Sequence, residues 1–347
     1  MFSVLRRLLF MMPPERAHDL ALGSMDGLAR IGAKGVMPPR VEDERRVMGL
    51  PFRNAVGLSA GLDKDGDHIR GLAAMGFGFV ELGTVTPRGQ PGNPTPRLFR
   101  LPEREALINR LGFNNQGVDH LCQAVRAVRD HVDIPIGINI GKNRDTPLER
   151  ASEDYCHCLR AVHGIADYVV VNLSSPNTPG LRSLQAGNEL IGLVQRLQDE
   201  QRALQADGAR HVPLVVKIAP DLTDDELRAL VDALLDCGID GITATNTTID
   251  HSAVSGSRHA EETGGLSGAP LRARATEVVR QVRRQAGPDL PIIAVGGIMT
   301  AADAVEKMEA GADLVQIYTG LIYKGPSLVR EAAANIRDHC PASRDLS

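Results

Sequence analysis

The residues best placed to do chemistry stand in the stretch Val169 to Leu181, VVVNLSSPNTPGL. There an apolar run ends in Asn172, and two serines, a second asparagine and two prolines follow. Three successive β-branched valines read as a buried strand, whereas Ser174 to Gly180 can extend neither strand nor helix, so a stiff strand aims a short polar loop. Taken alone, this could be an ordinary strand exit. Other positions share its character: Lys64, Asn109, Asn172, Asn177 and Asn246 form a set of one cation and four amides, each in a loop or at a strand end. Amides present a donor beside an acceptor, which suits a small ring carrying carbonyls and N–H groups, and a lysine suits a carboxylate. Single asparagines often only turn loops; it is the set together that points to such a ligand. Lys217 follows two valines, so its ammonium would emerge from the core to meet a negative ligand, a developing negative charge, or a core carboxylate in a structural ion pair.

The elements that must position these residues follow from periodicity. Apolar strand candidates are Ala55 to Leu58, Phe79 to Gly83, Ile136 to Asn139, Tyr168 to Asn172, Leu214 to Ile218, Gly241 to Thr245, Ile292 to Val295 and Leu314 to Ile317. Helical patterns lie between them: Asp65 to Met75, Val118 to Arg129, Glu149 to Val162, Leu190 to Leu204, Asp224 to Cys237, Arg272 to Gln285 and Ala301 to Ala310. Eight alternations imply an α/β chain with a parallel sheet closed as a (β/α)8 TIM barrel, whose functional groups should gather at the C-terminal strand ends. Polar or glycine-rich groups do stand there: Ala60-Gly61-Leu62-Asp63-Lys64, Thr84, Asn139, Asn172, Lys217, Thr245-Asn246-Thr247, Gly296-Gly297 and Tyr318-Thr319-Gly320. The last two, after strands seven and eight, point to a phosphate, with Thr263 to Gly268 as a further flexible, donor-rich loop for the same group.

Residues 1–40 differ in kind. Phe2 to Met12 is apolar except for Ser3, Arg6 and Arg7, and after Pro13-Pro14 the residues Ala17, Leu20, Ala21, Met25, Leu28 and Ala29 recur at helical spacing. Six basic against three acidic residues give this helical hairpin a net +3, so the remainder carries −7 of the total −4. A basic, apolar pair of helices on an acidic body suggests an interfacial membrane anchor, the alternative being that both helices simply pack on the main domain. No run approaches the ~20 apolar residues of a membrane span, and no small-residue cleavage site follows the first segment. The division expected is therefore an N-terminal hairpin, 1–40, and a barrel, 41–347.

The overall acidity argues against nucleic acid as a partner. Five cysteines without a CxxC pair fit a reducing compartment, and Cys156-His157-Cys158 lacks the second pair a tetrahedral metal site needs. No metal is expected.

With these loops assembled, the chain closely resembles the dihydroorotate dehydrogenases, specifically their membrane-associated, quinone-using class (class 2, bacterial type). The motifs are AGLDKDG at 60–66, ELGTVTPRGQPGNPTPRLFRL at 81–101, INRLGFNNQG at 108–117, GINIGKN at 137–143 and VNLSSPNTPGLR at 171–182. VKIAPDL at 216–222, ATNTT at 244–248, TGGLSG at 263–268 and VGGI at 295–298 complete them. The resemblance implies one FMN per chain, held by Ala60, Gly61, Leu62, Asp63, Lys64, Thr84, Asn139, Asn172, Lys217, Thr245, Gly268, Gly297, Tyr318 and Thr319. It implies dihydroorotate held by Lys64, Asn109, Arg110, Leu111, Gly112, Phe113, Asn172, Asn177, Asn246 and Thr247, with Ser175 as catalytic base. Serine there marks the quinone class, where the soluble class has cysteine.

The reaction so implied belongs to pyrimidine biosynthesis. Ser175 takes a proton from carbon 5 of dihydroorotate, hydride passes from carbon 6 to flavin N5, and orotate results. Thr178 would relay the proton outward and Lys217 would stabilise charge on the reduced flavin. Electrons then pass to ubiquinone or menaquinone entering between the N-terminal helices, in a monomer peripheral to the cytoplasmic face of the inner membrane. Two rivals are a flavin barrel acting on another dihydropyrimidine and a phosphate-binding barrel without catalysis.

Overall fold

The computed structural model describes residues 2–30, 39–178, 180–185 and 187–341. The chain opens with α1 (Phe2–Phe10) and α2 (Pro14–Arg30), followed by an antiparallel pair, β1 (Arg45–Val47) and β2 (Leu50–Phe52). Then come β3 (Val56–Leu58), α3 (Ile69–Ala74), β4 (Phe79–Val85), β5 (Leu98–Leu101), β6 (Ala106–Asn109), α4 (Val118–Val128), β7 (Ile136–Ile140) and α5 (Ala151–Val162). The middle of the chain supplies β8 (Tyr168–Asn172), α6 (Gly187–Ala206), β9 (Leu214–Ile218), α7 (Asp224–Asp236), β10 (Gly241–Ala244) and β11 (Gly265–Gly268). The last part supplies α8 (Arg272–Ala286), β12 (Ile292–Val295), α9 (Ala301–Glu309), β13 (Leu314–Ile317), α10 (Thr319–Lys324) and α11 (Ser327–His339).

β3, β4, β7, β8, β9, β10, β12 and β13 close into a parallel barrel in that order, as their nearly continuous Val, Ile and Leu content requires of strands covered on both faces. These are the eight strands legible in the sequence. Helix starts obey local chemistry: Thr223 with Glu226 and Thr300 with Asp303 form capping boxes on α7 and α9. The helix expected from Asp65 begins only at Ile69, because the Asp63 carboxylate accepts the N–H groups of Gly66, Asp67 and His68 and holds those residues in a turn.

Below the strands the barrel is plugged. A Cβ on Gly57 would lie 2.3 Å from the Phe79 ring and one on Gly137 2.1 Å from the Tyr168 ring, so these glycines are the space into which the two rings fold. Phe52 of β2 stacks edge-on against Phe79 at 5.1 Å, which places the β1–β2 hairpin as a cover over that end.

Two features were not foreseen. The glycine-rich stretch 263–268, read as a flexible loop, contains β11, which pairs antiparallel with β6 and through it with β5 beside the barrel mouth. Its glycines mark close approach: a Cβ on Gly264 would meet the Asn109 carbonyl oxygen at 2.3 Å, and one on Gly268 that of Glu105 at 2.3 Å. The residues of α2 read at helical spacing do not all turn the same way. Ala17, Leu22 and Asp26 are buried, the last accepting the Gly71 N–H of α3 at 2.9 Å, while Leu20 is exposed. Of the 1–40 hairpin, residues 1 and 31–38, Lys34 included, lie outside the described residues.

Candidate active site

Strand ends converge on a cavity of about 960 Å³, its open mouth included. Its wall takes in Ala60, Gly61, Lys64, Thr84, Asn109, Leu111, Gly112, Phe113, Asn172, Ser175 and Asn177 from the first half of the chain. Lys217, Thr245, Asn246, Thr247, Gly268, Gly297, Tyr318 and Thr319 come from the second. Four expected residues stand outside it. Leu62 is buried in the core, and Asp63 spends its carboxylate on the turn already described. Arg110 reaches away to Glu262 at 2.7 Å and to the carbonyls of Thr263 and Pro96. Asn139 lies behind the wall and acts on it through other side chains.

One side of the cavity is an amide chain whose orientation is fixed by a backbone donor. The Ser174 N–H donates to Asn172 Oδ1 at 3.3 Å, so Asn172 Nδ2 is left to donate to Thr84 Oγ1 at 2.9 Å and Asn139 Oδ1 at 3.2 Å. Asn246 Nδ2 joins the same group, reaching Ser174 Oγ at 3.0 Å. Tyr155, buried in α5, anchors the strand end by donating its hydroxyl to the Asn172 carbonyl at 2.8 Å. Ser175 is buried in the cavity wall, and its Oγ accepts the Asn177 N–H at 3.3 Å. Asn177 Nδ2 in turn donates to Asn109 Oδ1 at 3.3 Å, linking the serine loop to β6. Thr178 is buried, outside the cavity wall.

Sequence reasoning missed Arg182, which staples this loop in place. Its Nε donates to the Ser174 carbonyl at 3.0 Å, Nη2 to that of Thr247 at 3.0 Å, and Nη1 to the Asp221 carboxylate at 2.7 Å. Asp221 also accepts Thr248 Oγ1, so one guanidinium joins the exits of β8, β9 and β10. An arginine just past a catalytic-type loop, with an aspartate after the fifth barrel strand, was the available signal.

The opposite side is a backbone cradle. Gly296 and Gly297 have φ of 120° and 76°, and a Cβ on Gly297 would fall 2.3 Å from the Arg272 backbone, so only glycine lets β12's exit pass there. Thr319 Oγ1 lies 2.8 Å from Ser267 Oγ beside Gly268. Between the two sides stand the cations. Lys217 Nζ donates to Ser59 Oγ at 3.3 Å and lies 3.9 Å from Glu81, and burial pushes it below the usual lysine range. Burial does the same to Lys64. Lys217 therefore lines the cavity and also has the core carboxylate that was the structural alternative.

A glycine-lined, hydroxyl-bearing cradle, two buried lysines and a set of amides in one cavity wall fit a phosphorylated ring cofactor with a small polar substrate beside it. The fold and the site thus define a (β/α)8 barrel enzyme. Residues 44–339 match the family described as dihydroorotate dehydrogenase. The chain is 55% identical to the dihydroorotate dehydrogenase (quinone) of Azotobacter vinelandii over 97% of its own length and 96% of the relative's. It is 53% identical to the enzyme of the same name from Pseudomonas aeruginosa, over 96% and 97%. Among solved structures, the DHODH of Eimeria tenella in complex with ferulenol superposes with a TM-score of 0.85 at 39% identity, covering 94% of this chain and 91% of that one. The ligand-free form gives 0.84 at 40%, covering 95% and 96%. This chain belongs to the dihydroorotate dehydrogenase family.

Proposed function

We propose that the chain oxidises dihydroorotate to orotate with a quinone as electron acceptor, through an FMN held in the barrel mouth. The observation that carries this reading is the cavity itself, in which Ser175, two lysines, four amides and the glycine cradle share one wall. The names of the relatives support the substrate and the acceptor. FMN, when bound, supplies a two-electron acceptor for hydride. Gly297, Gly268 and Thr319 would receive its phosphate, and Lys217, Thr84 and Asn172 its ring. Lys64 would pair with the substrate carboxylate while Asn109, Asn177 and Asn246 read the ring's carbonyl and N–H edges.

Ser175 serves as the base. Its buried Oγ is positioned by the Asn177 N–H, and the Arg182 staple holds the preceding carbonyl. A hydroxyl needs an outlet for its proton, and buried Thr178 is the proposed first station.

The second half-reaction belongs to residues 1–40, distinct from the barrel of 41–347. α1 and α2 turn Val4, Leu5, Leu8, Met11 and Leu20 outward, Met11 being 83% exposed, and no described helix is long and apolar enough to cross a membrane. Such a surface suits peripheral insertion, on the cytoplasmic face of the inner membrane in this reading. Between hairpin and barrel, Arg100 lies 4.6 Å over the Phe10 ring and donates to the Met12 carbonyl at 3.0 Å. His18 is kept neutral, its pKa lowered to about 4 chiefly by burial and then by Lys64. A neutral imidazole and a guanidinium along an apolar seam suit the carbonyl oxygens of ubiquinone or menaquinone.

The test is an anaerobic stopped-flow mix with dihydroorotate. Bleaching of flavin absorbance supports the reading; a yellow protein that stays oxidised discards dihydroorotate, and a colourless protein that takes up no FMN discards the cofactor.

A further inference from the structure

The interior of β4 contains a residue that packing alone would not select. Phe79 through Val85 are all buried, and Glu81, in their midst, has no exposed surface. A carboxylate denied water persists only where its oxygens are given donors. One oxygen accepts Asn139 Nδ2 at 2.8 Å and the other accepts Gln316 Nε2 at 2.6 Å. The first donor cannot turn round. Ser174's backbone N–H fixes Asn172, whose Nδ2 occupies Asn139 Oδ1, and Thr84 Oγ1 approaches that same oxygen at 2.5 Å. Asn139 must therefore present its NH₂ to Glu81, and the chain ends by donating to a carboxyl oxygen.

Lys217 stands 3.9 Å from that carboxylate with its head in the cavity wall. Among the described residues Glu81 is the charged group acting on it: burial lowers the Lys217 pKa and Glu81 raises it. The other titratable group facing the pair is Tyr168, whose phenol is held neutral, well above its usual range, by burial and by Glu81 itself. The pair is thus a private one, closed off below by rings and above by the cavity.

We propose that Glu81 is the fixed counter-charge of Lys217, keeping its ammonium protonated in both redox states of the bound flavin, so that two-electron reduction takes up one proton. The inference rests on the FMN reading and adds a residue that touches neither flavin nor substrate. Glu81 is a positioning residue for charge, acting through Lys217. With the ammonium charged throughout, two electrons and one proton enter and the reduced ring keeps a single negative charge beside Lys217. Without Glu81, a buried unpaired ammonium sheds its proton in the oxidised protein. On reduction that proton returns to Lys217 or is taken by the ring, and two electrons then bring two protons.

The experiment is potentiometric titration of the holoenzyme with dithionite at a series of pH values between about 7 and about 9, where free carboxylates and lysines hold their charge. The wild type is expected to show a midpoint slope of one proton per two electrons and Glu81→Gln a slope of two. Glu81→Asp, and Glu81→Gln combined with Lys217→Arg, whose guanidinium cannot lose its proton, are expected to return to one. A Glu81→Gln slope that stays at one overturns the proposal, as does a wild-type slope of two. Should Glu81→Gln not fold, the ¹⁵Nζ resonance of Lys217 in the oxidised wild-type holoenzyme decides. An ammonium unchanged across the range supports the counter-charge, and titration below about pH 8 removes it. A chain that takes up no FMN removes the cofactor reading and the counter-charge together. A yellow, one-proton Glu81→Gln protein removes only the counter-charge.

Discussion

At the barrel mouth, Asn139, Asn172, Ser174 and Asn246 are joined side chain to side chain, and Arg182 ties three strand exits with three bonds. The N-terminal hairpin is held differently. Arg6 donates to the Tyr323 carbonyl, Arg97 pairs with Glu15, Arg100 reaches the carbonyls of Phe10 and Met12, and Asp26 receives Gly71, while Val4, Leu5, Leu8, Met11 and Leu20 are exposed. One region is over-determined, as a site that aligns reacting atoms must be. The other packs one face of α2 closely on α3, burying Ala17, Leu22 and Asp26, and turns its remaining apolar side chains outward. The division suits the two proposed half-reactions, one needing fixed geometry with a small polar substrate, the other needing access for an apolar diffusing acceptor.

Ser175→Ala should retain FMN yet slow flavin reduction by roughly 10²–10⁴-fold, and near wild-type bleaching in anaerobic stopped flow would remove Ser175 as the base. Removal of residues 1–33 should cost most quinone turnover and liposome binding while leaving flavin reduction intact, because none of the described hairpin residues stands in the cavity wall. Unchanged quinone turnover would dissolve the contrast altogether. Arg182→Gln should slow flavin reduction by about tenfold through a shifted serine loop, with reoxidation by quinone unaffected; equal losses in both half-reactions would mean the staple is merely structural.

His18 gives the hairpin a pH dependence of its own. Its folded pKa of about 4 lies below the ordinary 6.5, so the unfolded hairpin binds a proton that the docked one refuses. Docking should be fully stable above about 6.5 and weaken as pH falls from there toward about 4, with His18→Gln flattening the curve in proteolysis of α1 and α2. The smallest effect expected is from Arg97→Ala, which breaks the partly buried pair with Glu15 and should cost about 1 kcal/mol in thermal melts.

Much of the barrel was readable because parallel strands buried on both faces leave long β-branched runs, and the exits of those runs carry the polar residues that make the mouth. What escaped was structure made by pairing between distant short segments. β5, β6 and β11 have four residues each, and β11 consists of glycines flanking Leu266 and Ser267, so neither periodicity nor propensity marks it. Its strand character comes from β6 lying alongside. Leu62, Asp63 and Arg110 sit inside motifs whose other members line the cavity, and no spacing rule tells a loop's capping carboxylate from a ligand contact. Glu81 was legible in principle: a lone acid within FVELGTV, inside a strand with every neighbour buried, is a charge that must have a partner.

The rings of Phe52, Phe79 and Tyr168 stand one upon another beneath the strands. They make the barrel a cup, not a pipe. Nothing enters or drains through its base, so orotate must leave by the opening dihydroorotate used, and it must do so before the next molecule arrives. On the reading that the acceptor enters along the hairpin, a departing product and an arriving acceptor need not share a door. Crowding the vessel with orotate should therefore obstruct only newcomers at the rim, competing with dihydroorotate and leaving the acceptor's own affinity as it was.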